Sequence, residues 1–274
     1  MPQKTIDQSR CTRCKRCIEI CPLEIFEIDP ATSFPAVSRP KDKRCTACGH
    51  CEAICPENAI DLRDDSLQGP LGCTATPALS PDQVASYFVH RRSTRRFRPE
   101  PVEKATLEKL LDIARYAPSG VNRQPVSWSI AYSPGAVGGL AALSVDWMRS
   151  QIPLKTPLSL GLRFDILLDA WEKGNDPLCR HAPHCIFAHA HKEDRMAVTD
   201  GTIALAQVEL AAAAFGLGAC WAGYLNIAAN AYQPLKAAAG IPDDHACLGA
   251  LMIGKPEYAF AGIPKRKAAR ISWV

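Results

Sequence analysis

No run among the 274 residues is long and apolar enough to read as a membrane span. The nearest approach, residues 210–229, is mostly Ala and Gly, carries Asn226 and follows Glu209. It reads as a buried core helix followed by a turn. The first ten residues are polar and lack the apolar centre of a secretory leader, so a cytoplasmic protein is expected. No Gly-x-Gly-x-x-Gly occurs, which argues against a separate Rossmann nicotinamide domain. Gly249 to Pro256 matches a P-loop until its end, where proline stands in place of the magnesium-binding Ser or Thr. Excess charge is also lacking: 32 basic residues face 28 acidic ones, for a net +4 and a pI near 8.4. That balance permits an acidic protein partner or a phosphate ligand but does not imply nucleic acid.

Cysteine, by contrast, is abundant and unevenly placed. Eight of the 13 fall within the first 55 residues, while Cys73, Cys179, Cys185, Cys220 and Cys247 are scattered over the rest. The run Cys11-x2-Cys14-x2-Cys17-x3-Cys21-Pro22 returns 34 residues later as Cys45-x2-Cys48-x2-Cys51-x3-Cys55-Pro56. A secreted disulfide scaffold does not group its cysteines with x2 spacing, and tetrahedral zinc needs only two C-x2-C pairs. Two complete C-x2-C-x2-C-x3-C-P runs are the pattern of two [4Fe–4S] cubanes, and they argue for a reducing compartment. In such modules the cysteine before proline ligates the other cluster. One cluster therefore takes Cys11, Cys14, Cys17 and Cys55, and the other Cys45, Cys48, Cys51 and Cys21. Each run precedes a strand-like piece, residues 23–28 and 59–62. Residues 5–62 resemble the bacterial two-cluster ferredoxins.

Residues 1–63 are thus expected to form one domain, and 64–80, rich in Gly, Pro, Ser and Thr, a linker. The remaining residues, 81–274, must fold as a second domain. Ser80-Pro81 reads as N-cap and first turn of a helix running to residue 91. A second helix is expected over 101–116, a strand over 126–132, and helical material over 137–149 and 158–171. Strands at 185–190 and 246–253, an Ala-rich helix at 200–215 and a strand-like tail at 269–274 complete the pattern. The irregular alternation suggests an α+β fold.

Several constellations in this second part bear on chemistry. His90-Arg-Arg-Ser-Thr-Arg-Arg-Phe-Arg98 places five arginines and a serine at a helix end. Arginine forks and a hydroxyl suit a phosphate monoester, and a solvated basic face is the alternative. His181, His184, His189 and His191 fall within eleven residues. They read either as a metal site or as pocket-lining and surface side chains. Cys220 lies near a ligand or is a buried inert thiol.

Taken in order, the arginine–serine run, Ala117-Pro-Ser-Gly-Val-Asn-Arg-Gln-Pro125, Leu217-Gly-Ala-Cys-Trp-Ala-Gly-Tyr224, Gly254-Lys-Pro256 and Ile263-Pro-Lys-Arg-Lys267 resemble the nitroreductase family of FMN enzymes, over residues 82–274. The whole arrangement resembles ferredoxin–nitroreductase fusions. The resemblance implies a homodimer with FMN at the subunit interface. It implies that Arg91, Arg92, Ser93 and Arg95 hold the FMN phosphate and flank the ring, with Lys265 and Arg266 returning to the phosphate. Ser119, Gly120, Asn122 and Gln124 would serve the flavin or ribityl chain. The turn of Cys220, Trp221, Ala222 and Gly223 would offer backbone groups to the ring. The implied function is reduction of a nitroaromatic, quinone or similar small conjugated acceptor, fed by a reduced ferredoxin-like carrier or NAD(P)H. A protein that relays electrons to a partner, and the same scaffold with a different reaction, stay open beside it. No catalytic acid or base is assigned.

Overall fold

The computed structural model describes residues 2–67, 69 and 78–274. Most of the expected linker, and Cys73 within it, lies outside the described residues. The chain divides into two compact units, Met1–Thr76 with Gly120–Arg123, and Pro77–Ser119 with Gln124–Val274.

In the first unit the 34-residue repeat is a repeat of backbone. It contains β1 (Gln3–Ile6), α1 (Arg16–Glu19), β2 (Phe26–Ile28), β3 (Pro35–Val37), α2 (His50–Ala53) and β4 (Ile60–Arg63). The expected pieces after each cysteine run are β2 and β4. Each pairs antiparallel with a strand the hydrophobic pattern did not reveal: β2 with β3, and β4 with β1. Three pairs of repeat-mates share a left-handed backbone: Arg13 and Ala47 (φ 58° and 52°), Lys15 and Gly49 (63° and 73°), Glu24 and Asn58 (52° and 48°). Cys17, Ile25, Phe26 and Ile60 form the small core.

The second unit is an α+β fold around one four-stranded antiparallel sheet. Its elements run α3 (Pro81–His90), α4 (Lys104–Ala114), β5 (Ser127–Ala131), α5 (Pro134–Gln151), α6 (Pro157–Gly161), α7 (Phe164–Glu172), β6 (His184–His191), α8 (Ala197–Ala214), β7 (Gly218–Trp221), α9 (Gly223–Ala231), α10 (Gln233–Ala238) and β8 (His245–Gly254). The strand order is β5-β6-β8-β7. Both faces are covered, so the central strands β6 and β8 are buried over most of their length, His184 and His189 included, instead of alternating with exposed residues. From β6, Cys185 and Phe187 meet one core with Leu140, Met148, Phe164 and Leu225, while Ile186 and Ala188 meet another with Leu107, Leu110, Leu205 and Val208.

The start of α3 is as expected. Ser80 Oγ accepts from Gln83 N (3.2 Å) and Gln83 Oε1 accepts from Ser80 N (2.8 Å), a complete capping box with Pro81 behind it. Three expectations need correction. The apolar stretch 210–229 is not a helix and turn: α8 ends at Ala214, and β7 and α9 follow. Helical residues 158–171 divide into α6 and α7 at Leu162 and Arg163, the latter left-handed (φ 52°). The tail at 269–274 forms no strand; it pairs with no described strand and its side chains are exposed.

Candidate functional sites

The two cysteine runs build two sites in the first unit. Cys11, Cys14, Cys17 and Cys55 surround one cavity, and Cys21, Cys45, Cys48 and Cys51 surround another. These are the two sets that crossed ligation requires. Each run lays its first three cysteines around a left-handed turn and a single helical turn, α1 or α2, while the residue before proline reaches across the unit. Backbone N–H groups point at the sulfurs: Arg13 N donates to Cys11 Sγ (3.4 Å), Ile25 N to Cys21 Sγ (3.5 Å) and Ala59 N to Cys55 Sγ (3.2 Å). Such donors stabilise negative charge on a ligand sulfur and tune a cluster's potential. Burial raises the Cys17 thiol and pushes Cys51 up to about 11. These thiols give up their protons when a cation compensates the charge. Among the described residues no three His, Cys, Asp or Glu close on one point as a single ion requires. The donor set, eight soft sulfurs in two rings of four, fits cubanes.

In the second unit the arginine run leaves α3 and is stitched to the sheet. Thr94 N donates to Ala219 O (2.9 Å), and Ser93 bridges Ala219 in parallel. Gly218 makes this approach feasible: a Cβ there would lie 2.0 Å from Thr94 Oγ1. Further on, Arg98 N donates to Lys255 O (2.9 Å), Glu257 N to Arg96 O (3.1 Å), and Phe97 bridges Pro256. The run therefore lies against both the Cys220–Trp221 segment and the Gly254-Lys-Pro256 segment. The tail closes the arrangement, for Arg91, Arg92, Ser93, Arg95, Pro264 and Arg266 line one open cavity of 490 Å³.

Two arginines there differ in their partners. Arg91 Nη1 pairs with Glu209 Oε1 (2.8 Å), and Glu209 Oε2 accepts from Trp221 Nε1 (3.0 Å). The Arg92 Nη1 donates to the carbonyls of Val89 and Arg91 (both 2.6 Å), but its Nε and Nη2 are buried with no partner. Buried guanidinium donors without acceptors fit an anion such as a phosphate. Cys220 is buried, which raises its thiol against the opposing pull of Arg180, Arg95 and Ser93. Cys220 and Trp221 lie on β7, Ala222 is the N-cap of α9 and Gly223 its first residue, so the expected turn is a strand-to-helix junction. Lys265 is exposed, and its carbonyl accepts from Arg266 Nη1 (3.0 Å).

The Ser119–Gln124 loop is held internally, with Ser119 Oγ accepting from Gln124 N (2.9 Å). Val121, Asn122 and Gln124 are left-handed (φ 47°, 56° and 49°), and Gly120 to Arg123 group with the first unit. None of these residues lines the arginine cavity. The histidines separate. His184 Nε2 accepts from Val102 N (2.8 Å) and its Nδ1 bonds Tyr132 O, a buried latch. His189 meets Ser129 Oγ (3.1 Å) and His245 Nδ1 (2.8 Å) instead, and His191 stands 3.9 Å from Asp244. The buried Cys179, Cys185 and Cys247 thiols are all raised, Cys247 to about 12, and behave as core residues. Sequence reasoning missed Glu209 and Thr94. A carboxylate deep in an Ala-rich helix, well past Asp200 in its first turn, is the one signal Glu209 offered.

Comparison with known proteins agrees with this geometry. Residues 89–255 match the nitroreductase family, and residues 10–60 match the 4Fe-4S dicluster domain. Among solved structures, a nitroreductase with bound FMN from Bacteroides fragilis shares 22% identity at a TM-score of 0.57, covering 70% of this chain and 98% of its own. An FMN-bound nitroreductase from Desulfitobacterium hafniense shares 20% at 0.56, covering 69% and 97%. A BluB-like flavoprotein from Clostridium difficile shares 17% at 0.55, covering 69% and 99%. No curated protein matches by sequence.

Fold and sites together define a flavin-dependent oxidoreductase preceded by an iron–sulfur module. The family match spans more than half of the 274 residues, and the chain belongs to the nitroreductase family, in its fusion with a ferredoxin-type domain. None of its described helices is long and apolar enough to cross a membrane.

Proposed function

We propose that the chain binds two [4Fe–4S] clusters and FMN, passes electrons from the clusters to the flavin, and reduces a small conjugated acceptor such as a nitroaromatic or quinone. The observation that carries this reading is the pair of orphaned, buried donors on Arg92 beside a cavity lined by three further arginines and Ser93. A phosphate there satisfies those donors, with Arg91, Ser93, Arg95, Lys265 and Arg266 around it. Glu209 holds Arg91 and Trp221 in fixed places. The junction from Cys220 to Gly223 serves the ring, and from the loop of the same unit Ser119 and Gln124 are assigned to the flavin and ribityl chain. When bound, FMN supplies the exchange between single electrons and an electron pair. The chain's own side chains bind and orient, and no protein acid or base is needed.

The domain boundaries follow: ferredoxin-type residues 1–63, linker 64–80, flavin domain 81–274. A homodimer completes the reading. Val84, Tyr87, Phe88 and Val89 on α3 are exposed (40, 40, 55 and 45%), an apolar surface of the kind that marks an interface. Ligand thiols of this number are kept reduced in a cytoplasm, which we assign as the location. The test is anaerobic turnover of a quinone and a nitroaromatic with reduced ferredoxin or NAD(P)H as donor. Turnover with either donor supports an enzyme. Electron delivery to proteins alone, with no small acceptor reduced, overturns it in favour of a relay.

A further inference from the structure

The two halves of the iron–sulfur module share a backbone, and each has cations just before its first cysteine, Arg10 in one and Lys43 and Arg44 in the other, but they differ in charge between the first and third cysteines. Between the first and third cysteines the first loop carries Arg13, Lys15 and Arg16, while their repeat-mates 34 residues on are Ala47, Gly49 and His50. Arg10, whose repeat-mate Arg44 is also an exposed arginine, adds a fourth cation, and all four are exposed in the segment that holds the exposed Cys14. None of the four belongs to an ion pair among the described residues. The nearby acids are Asp7, whose carboxylate is engaged by Ser9 and drawn down further by Arg10, and Glu19, three residues on from Arg16 in the single turn of α1.

Two details indicate that the charge is placed rather than incidental. Lys15 occupies a left-handed position (φ 63°) where its repeat-mate is glycine (φ 73°), the residue that conformation favours. Arg13, also left-handed, has its guanidinium over the Phe34 ring at 4.0 Å, which holds it at the rim of the loop. A cationic collar around an exposed ligand sulfur attracts an anionic surface and speeds its encounter.

We propose that the Cys11–Cys17 loop face is the docking surface for an acidic protein electron carrier, with Arg10, Arg13, Lys15 and Arg16 as its recognition charges. This rests on the function proposed above, in which electrons enter through the iron–sulfur module. Docking breaks no bond; each encounter oxidises the carrier by one electron and reduces this chain by one.

The test is calorimetric titration of the full-length, cluster-loaded protein with an oxidised, acidic plant-type [2Fe–2S] ferredoxin. The combined Arg13→Glu, Lys15→Glu and Arg16→Glu substitutions should weaken binding at least ~tenfold at low ionic strength, the scale of electrostatic steering. Wild-type affinity should fall as salt shortens the screening length. Ala47→Glu with His50→Glu, at the matching places of the second loop, should leave affinity within ~twofold. Lys15→Gly copies the repeat-mate and relieves backbone strain; it should still weaken binding, which keeps the proposal testable should the triple variant lose its clusters. Equal affinity in the first-loop variants, equal loss in both loops, or tighter binding of a DNA duplex than of the ferredoxin would overturn it. Quinone turnover by a chemically reduced enzyme that binds no ferredoxin would refute the docking face alone; absence of iron or flavin would refute the underlying function.

Discussion

Gly218 is where a single methyl group should separate the arginine run from the sheet. A Cβ at this position would lie 2.0 Å from Thr94 Oγ1, 2.7 Å from Thr94 Cβ and 3.0 Å from Thr94 Cγ2. Rotating the threonine does not help, because Cβ is fixed to the backbone and the other branch takes the vacated place. Gly218→Ala must therefore move either β7 or the Ser93–Thr94 segment that bonds Ala219. Overpacking of this kind costs about 1–3 kcal/mol, and about 2–4 °C of Tm per kcal/mol in a domain of this size, so a fall of about 2–12 °C is expected. FMN affinity should fall with it, since Ser93 and Arg92 ride on the displaced segment. Thr94→Ala removes two of the three clashing atoms and should partly rescue Gly218→Ala, with a coupling energy above about 0.5 kcal/mol in a double-mutant cycle. Thermal unfolding and FMN fluorescence titration read both effects. A Gly218→Ala protein with unchanged Tm, or strict additivity with Thr94→Ala, refutes the reasoning.

Arg92→Gln should weaken FMN by about 10–150-fold, the equivalent of a charge-assisted hydrogen bond at about 1.5–3 kcal/mol, while riboflavin, which lacks the phosphate, should bind as before. Cys51→Ser should leave one cluster intact and lower bound iron to about half, measured by iron analysis. Burial lowers the His184 and His189 imidazoles below their ordinary value of 6.5, with His245 and Lys236 adding to the effect at His189. The unfolded chain then binds more protons than the folded one, so stability is full above 6.5 and declines as the pH falls below it. Tm between pH 7.5 and 5 should show that slope, and it should shrink in His189→Gln. Phe88→Glu on α3 should shift the assembly from dimer to monomer in sedimentation, since a charge replaces an apolar contact in the proposed interface.

Motifs that combine rare residue types at fixed spacing were legible: eight cysteines in two runs, and arginine–serine at a helix end. The Ser80 N-cap with Pro81 behind it was legible too, because local chemistry decides it, though the reciprocal bond from Gln83 was not read. What local pattern could not supply was pairing. Strands β1 and β3 are three or four residues long and polar or proline-bearing, and they exist because β4 and β2 need partners. Strand β7 is hidden in an Ala- and Gly-rich stretch where the helical and extended periods look alike. Glu209 and Thr94 act through contacts made across long sequence separations, Arg91 with Glu209 and Thr94 with Ala219. Their roles follow from the antiparallel packing of β7 on β8 and the path of residues 91–98 beside it.

Cofactor content tests the central claim most directly. Anaerobically purified protein should hold about eight iron, about eight sulfide and about one FMN per chain, from two four-iron clusters and one flavin site. Zinc in place of iron, or protein that neither contains nor takes up FMN, contradicts the account.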